Sequence, residues 1–220
     1  ADMARRLGLG EKLGIELPEE RSGLVPTTAW KKTAMKDIWH PGESLVAAIG
    51  QGYLLTTPLQ LATMTARLVN GGHAVKPRLS VYVGDRPDHA MEWPRININR
   101  KHLDWIVKGM VSVVNEPKGT ALGSRITEEG MEMGGKTGTS QVRRITREER
   151  ARGPTRQEDL PWKYRHHALF VGFAPVGKPR YACAVVVEHG ISGSGAAAPV
   201  ARDIMLEAQK RNPAAQPAVL

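Results

Sequence analysis

The chain has 220 residues, 41% hydrophobic and 24% charged. That balance excludes a disordered polymer and suits one domain, or one domain and part of another, with a sizeable core. Its 31 lysines and arginines outweigh 22 aspartates and glutamates, and the resulting charge of +9 fits an anionic partner without selecting nucleic acid, membrane surface or acidic polymer. No apolar run reaches the ~18 residues of a membrane span. The single cysteine, Cys183, excludes an internal disulfide and a Cys-rich zinc site. The start, Ala1-Asp2-Met3-Ala4-Arg5-Arg6, opens an amphipathic stretch without an apolar leader or an initial Met, so the chain is expected to be a piece of something longer.

The first 55 residues read as loop-rich, because glycines and prolines from Gly8 to Gly52 punctuate short apolar pieces such as Leu13-Gly14-Ile15-Glu16-Leu17. A helix follows. Thr57 is its N-cap, Pro58 its first residue, and Gln60 completes a Thr-x-x-Gln capping box. Leu59, Ala62, Ala66 and Val69 form its apolar stripe, and Asn70-Gly71-Gly72 ends it. Residues 73–98 read as short strands and turns. A second helix carries Leu103, Ile106, Val107, Met110, Val111 and Val114 on one face, with Asn99 as a cap, and stops near Asn115-Glu116-Pro117.

Sheet signals dominate the C-terminal half. Gly134 to Val142 is a polar, Gly- and Thr-rich strand, and His167–Ala174 and Tyr181–Glu188 form a hairpin joined by Pro175-Val176-Gly177-Lys178-Pro179. A helix over about 199–210 closes the fold, and 212–220 is a disordered Ala/Pro tail. Between the first two of these strands, residues 143–165 interleave eight basic with four acidic side chains and read as a long solvated, charged loop.

Gly134-Gly135-Lys136-Thr137-Gly138-Thr139-Ser140 is where residue types and spacing converge. An ammonium, two hydroxyls and strand-edge N–H groups together suit binding a carboxylate and polarising a carbonyl. Alternation puts Lys136 and Gly138 on one face and Thr137 and Thr139 on the other, unless the strand is distorted. Residues 130–137 match the phosphate-loop pattern G-x-x-x-x-G-K-[ST] letter for letter, with Ala184-Val185-Val186-Val187-Glu188 imitating its acidic partner strand. The context opposes that reading: a polar stretch precedes the first glycine, strand pattern follows Lys-Thr, and Glu132 would sit inside the phosphate cradle. The other fit is the Lys-Thr-Gly triad on a strand lining a serine acyl-transfer site.

Three segments, one of them carrying that triad, resemble class B penicillin-binding proteins. They are Ala48-Ile49-Gly50-Gln51-Gly52-Tyr53 with Thr56-Thr57-Pro58-Leu59-Gln60-Leu61-Ala62, then Gly135 to Val142, then His167 to Pro175. Leu17-Pro18-Glu19-Glu20-Arg21-Ser22-Gly23-Leu24-Val25-Pro26 resembles the stretch after the second catalytic motif in the elongation-type member. The resemblance runs from about residue 5 to about 208 and keeps the family's motif order.

The resemblance implies an α+β penicillin-binding protein/serine β-lactamase-like transpeptidase fold, an antiparallel sheet flanked by helices, incomplete on its N-terminal side. Residues 1–211 would be the C-terminal part of that domain. Its members cross-link peptidoglycan stem peptides ending in D-Ala-D-Ala through a serine acyl-enzyme, and β-lactams acylate the same serine. Lys136 and Thr139 would be catalytic, Thr139 lending its backbone N–H to the oxyanion hole, and Lys136, Thr137, Gly138, Thr139 and Ser140 would bind substrate. No cofactor and no metal are implied. Implied partners are β-lactams, a RodA-type glycosyltransferase, other elongation-complex proteins, and an upstream part of the same polypeptide. The domain would lie in the periplasm on a membrane-anchored parent.

One departure matters. No serine heads a Ser-x-x-Lys, and no Ser-x-Asn occurs. Thr28-Ala29-Trp30-Lys31 and Thr33-Ala34-Met35-Lys36 copy the spacing by coincidence, and in the family both missing motifs precede this region. The chain alone is therefore expected to be inactive. A serine β-lactamase is a weaker variant of the same chemistry. The alternatives of another class are a catalytically silent scaffold, or a basic module binding an anionic polymer or nucleic acid, whose affinity would fall steeply with salt; the transpeptidase reading needs no nucleic acid.

The remaining motifs carry bland readings. Cys183 is a buried structural thiol rather than a nucleophile paired with His189. His166, His167 and His189 lack metal-ligand spacing and read as surface or strand-end residues. Gly190-Ile191-Ser192-Gly193-Ser194-Gly195 misses G-x-S-x-G by one position and reads as a flexible turn bordering the cleft. Gly50-Gln51-Gly52 lacks the third glycine of a dinucleotide site, and the five tryptophans are scattered packing residues rather than a base-stacking platform.

Overall fold

The computed structural model describes residues 1–80, 82–84, 86–87, 92–143 and 145–213, in two compact units, Ala1–Arg100 and Lys101–Leu220. The first unit holds helices α1 (Asp2–Arg6), α2 (Thr28–Ala34), α3 (Pro41–Ala48) and α4 (Pro58–Val69), then a short antiparallel hairpin, β1 (Tyr82–Val83) and β2 (Arg86–Pro87). Loops do dominate its first 55 residues, yet α1 to α3 lie among them. Local capping explains two: Thr27 accepts from the Trp30 N–H at the start of α2, and the Glu43 carboxylate accepts from the His40 N–H at the start of α3, where Pro41 is the first residue. No described helix is long and apolar enough to cross a membrane.

Helix α4 starts and stops where the sequence predicts, with Thr57 and Gln60 closing the capping box. Its buried face is different. Gln60, Thr63, Thr65, Arg67 and Leu68 are buried, while Leu59, Ala62, Ala66 and Val69 are only half-buried. The reason is that α4 serves the loops around it. The Gln60 amide donates to the carbonyls of Glu11 (2.9 Å) and Ser22 (2.8 Å), and its oxygen accepts from the Thr57 N–H (3.0 Å) and the Thr56 hydroxyl (3.2 Å). Arg67 donates to the carbonyls of Val75 and Arg6, and burial pulls its pKa down. Polar side chains are tolerated inside because the loops' carbonyls need donors.

The second unit holds α5 (Arg100–Asn115, which begins at the boundary), β3 (Gly134–Ser140), α6 (Arg147–Arg152), β4 (His167–Ala174), β5 (Tyr181–Val187) and α7 (Ala198–Arg211). The strands form an antiparallel sheet in the order β3-β4-β5. Lys136 pairs with Val171, Thr139 with Ala168, and the β4–β5 hairpin closes at Ala174–Tyr181. Val114 of α5 and Ala198, Ala201 and Met205 of α7 join Met133, Ala168, Phe170 and Ala174 in one buried cluster. The alanines let α7 lie close to the sheet.

The charged connection 143–165 is not a bare loop. It contains α6 and two single 3-10 turns, Gln157–Asp159 and Trp162–Tyr164. Thr146 caps α6 by accepting from the Glu149 N–H, and Arg143 grips the Glu149 carboxylate with both guanidinium nitrogens. From residue 214 on, the expected Ala/Pro tail lies outside the described residues, as do 81, 85 and 88–91 of the expected strand-and-turn region.

Candidate active-site strand

Strand β3 is an edge. On one side it is paired along its whole length with β4, and on the other no described strand pairs with it. Alternate peptide groups of such a strand face outward, free to accept an extended chain as a further strand. Its first two residues anchor it: a Cβ on Gly134 would lie 2.6 Å from the Phe173 ring, and one on Gly135 would lie 2.2 Å from the Phe170 ring and 2.5 Å from the Val171 carbonyl. Glycine is required there because both phenylalanines are fully buried against the strand.

The five residues predicted to bind substrate follow in sequence along this edge. Lys136, Thr139 and Ser140 are exposed, and Thr137 and Gly138 half-buried. The Lys136 ammonium reaches around the edge to donate to the Thr137 carbonyl at 2.7 Å and lies 3.4 Å from the Thr137 hydroxyl. Pleating sends neighbouring side chains to opposite faces, but the four-carbon lysine stem spans the edge and brings both groups together. The Thr137 hydroxyl also shares a 3.2 Å hydrogen bond with the Thr120 hydroxyl. Thr120 carries no signal in the sequence, since it belongs to the segment after α5 and meets β3 only through the fold.

Gly193 is the second residue the sequence does not mark for its role. Residues Gly193–Ala197 form a π-type turn leading into α7. A Cβ on Gly193 would lie 2.5 Å from the Leu169 carbonyl, 2.6 Å from the Gly138 carbonyl and 3.0 Å from the Gly138 nitrogen. The predicted flexible turn is thus a structured one, packed backbone-to-backbone against the middle of the Lys-Thr-Gly triad.

Several rival sites resolve. The strand running through Lys136-Thr137 leaves no helix after Lys-Thr, so the phosphate-loop match is one of letters only. Lys31, in the Thr28-x-x-Lys31 coincidence, is only 2% exposed in its side chain and is committed to Glu43 at 2.6 Å and Asp37 at 3.0 Å. Burial alone would lower its pKa, but the hydrogen bonds to Glu43 and Asp37 outweigh it and raise the value, so Lys31 stays charged and is no general base. The Cys183 thiol is pushed up to about 11, chiefly by burial, against a backbone hydrogen bond to Gly172. It is a poor nucleophile. Contrary to the surface reading, His166 is buried.

Comparison with known proteins gives the family. The model of the penicillin binding protein transpeptidase domain matches residues 1–206, and the chain belongs to that family. Within it, a peptidoglycan D,D-transpeptidase of Acinetobacter baumannii, MrdA, is 37% identical over 217 residues, covering 95% of this chain and 31% of the relative. The solved structure of Pseudomonas aeruginosa PBP2 in complex with WCK 5153 superposes with a TM-score of 0.76 at 37% identity, covering 93% of this chain and 40% of that one. Helicobacter pylori PBP2, solved in complex with MreC, gives a TM-score of 0.78 at 30% identity, covering 94% and 35%. The chain spans about a third of the length of the curated relatives such as MrdA.

Proposed function

We propose that this chain supplies the Lys-Thr-Gly-Thr wall of a peptidoglycan D,D-transpeptidase active site. The observation that supports it best is the β3 edge, which no described strand covers and along which Lys136, Thr139 and Ser140 are exposed. An extended stem peptide ending in D-Ala-D-Ala would lie along this edge as an added strand. Lys136 and the threonine hydroxyls would hold its terminal carboxylate, and the Thr139 N–H would donate to the carbonyl oxygen as it gains negative charge. Removing one such donor typically costs about 10²–10³ in rate. A β-lactam would use the same donors.

The nucleophilic serine and its lysine would come from an upstream part of the same polypeptide, since no Ser-x-x-Lys or Ser-x-Asn is present in these 220 residues. The parent would be anchored in the cytoplasmic membrane with this domain in the periplasm. It would work beside a RodA-type glycosyltransferase and other elongation-complex proteins, a reading supported by the MreC complex of the H. pylori relative.

Intact-mass analysis after incubation with a β-lactam tests the proposal. The 220-residue chain alone should gain no adduct. A polypeptide that joins it to a Ser-x-x-Lys segment should gain one adduct on that serine, formed far more slowly when Lys136→Ala is introduced. An adduct on the 220-residue chain itself would overturn the missing nucleophile, and no adduct on the joined polypeptide would overturn the transpeptidase reading.

A further inference from the structure

Residues 165–167, which lead into β4, hold the turn at 189–193 through consecutive hydrogen bonds. The His166 carbonyl accepts from the Ile191 N–H at 2.9 Å. The His167 Nδ1 accepts from the His189 N–H at 2.9 Å. The His189 Nδ1 lies 2.9 Å from the Arg165 carbonyl, and because a carbonyl only accepts, that nitrogen carries the proton. His189 and Ile191 both sit in the left-handed region, at φ 55° and 66°, a backbone state that side-chain-bearing residues hold only when the surroundings enforce it. Two residues further on, Gly193 lies against Gly138 of the Lys-Thr-Gly triad.

The same histidine fastens the charged connection. The Trp162 ring packs on His189 at 4.1 Å between centroids, and the His167 ring meets His189 edge-on at 4.6 Å. At the other end of the connection, the Val142 N–H, just past β3, donates to the His166 Nδ1 at 3.4 Å. Two of the three imidazoles are therefore acceptors through Nδ1, a role that only the neutral ring can fill.

We infer that His167, acting through His189, is a positioning residue: its neutral Nδ1 ties the first residue of β4 to the turn that lies against Gly138, the turn whose His189 also holds Trp162 and Arg165 of the β3–β4 connection, and a proton on that nitrogen opens the tie. A protonated His167 would present N–H to N–H at His189. Among the described residues, the charged groups near it include Arg143, already bound to Glu149, Arg165, whose guanidinium donates to the Leu160 and Glu158 carbonyls, and Glu188, exposed beside His189. His166 reinforces the sign, since burial first, then the charges of Arg143 and His167, hold its pKa below the ordinary value. His166 therefore contributes stability that is fully present above the unfolded value of about 6.5 and is lost as pH falls through its lowered folded value. The tie at His167 holds while its Nδ1 accepts, and a proton there breaks it. Its consequence for substrate rests on β3 being the substrate strand, whereas the tie itself does not.

Trypsin cleavage after Arg156 and Lys163, which flank Trp162 and are both exposed, reads the opening directly. Rates are taken relative to an unstructured peptide of the same sequence, which cancels the pH dependence of trypsin. For the chain as it stands, relative cleavage should rise roughly tenfold from about pH 8 to about pH 5.5, the population change expected for losing one such hydrogen bond. His167→Asn keeps an acceptor in place and cannot take the proton, so its profile should be flat, while Trp162→Ala should cleave faster at every pH and keep the slope. A His167→Asn chain with the unaltered slope overturns the inference. Should that variant fail to fold, ¹⁵N spectra of the histidine rings decide: His167 Nδ1 must be unprotonated at about pH 8 and take its proton in step with cleavage. Protonation without a change in cleavage overturns the inference equally. No arm reads acylation, so failure here is distinct from failure of the transpeptidase reading.

Discussion

Replacing Gln60 by glutamate separates what a local capping rule asks of this position from what the fold asks. By the capping rule, glutamate and glutamine are equivalent, because either side chain accepts from the N-cap N–H. The structure asks for more: the Gln60 amide also donates to the Glu11 and Ser22 carbonyls, and the residue is 1% exposed. Gln60→Glu keeps both accepted bonds and turns a carboxylate oxygen toward two carbonyl oxygens. Each lost bond costs about 1 kcal/mol net, and a buried carbonyl left without a donor adds about 1–3 kcal/mol, reduced where water reaches it. Glu11 and Ser22 are exposed residues, so water takes over part of the role. The expected loss is about 3 kcal/mol, roughly 6–12 °C in Tm for a chain of this size. Gln60→Ala should lose about as much, because it sacrifices all four bonds without adding a buried charge. Urea unfolding followed by tryptophan fluorescence and circular dichroism measures both. A Gln60→Glu chain within about 0.5 kcal/mol of the parent would refute the reasoning and reduce Gln60 to a helix cap.

Gly135→Ala should destabilise the chain by about 1–3 kcal/mol in the same assay, because the new Cβ would lie 2.2 Å from the ring of fully buried Phe170. The acid limb should be set by carboxylates that the folded state holds charged. Lys31 lowers the pKa of Asp37 and Glu43 by hydrogen bonding, and Arg143 takes Glu149 down to about 2. Their contribution is present above the unfolded value of about 4 and is lost as pH falls through the folded values, so urea midpoints should hold above about pH 5 and drop steadily toward pH ~2, less steeply in Glu149→Gln. Cys183, with its thiol at about 11 and half-buried, should react with iodoacetamide in neutral buffer many times more slowly than in urea, and equal rates would show that burial does not protect it.

The elements legible in the sequence are those with local causes. Helix α4 lies between a capping box and Asn-Gly-Gly, α5 follows its apolar period, and the apolar runs of β4 and β5 flank a Pro- and Gly-bearing turn. The candidate site was legible for the same reason: Lys136 to Ser140 are contiguous, so placing them on one strand needs no knowledge of the fold. Helices α2 and α3 were missed because they are only 7 and 8 residues long and stand among loop-forming glycines and prolines.

By itself, the sequence determined the order of α4, α5, the three sheet strands and α7, the Lys-Thr-Gly-Thr strand and the family. Tertiary structure alone decided that α4 buries polar Gln60 and Arg67 rather than its apolar stripe, that Lys31 answers Asp37 and Glu43, that Thr120 meets Thr137, and that Gly193 rests on Gly138. The difference lies in range. Periodicity, caps and turns are written in neighbouring residues, whereas the Gln60 amide finds carbonyls 49 and 38 residues away, a pairing set by the demand that every buried polar group find a partner once the chain has closed.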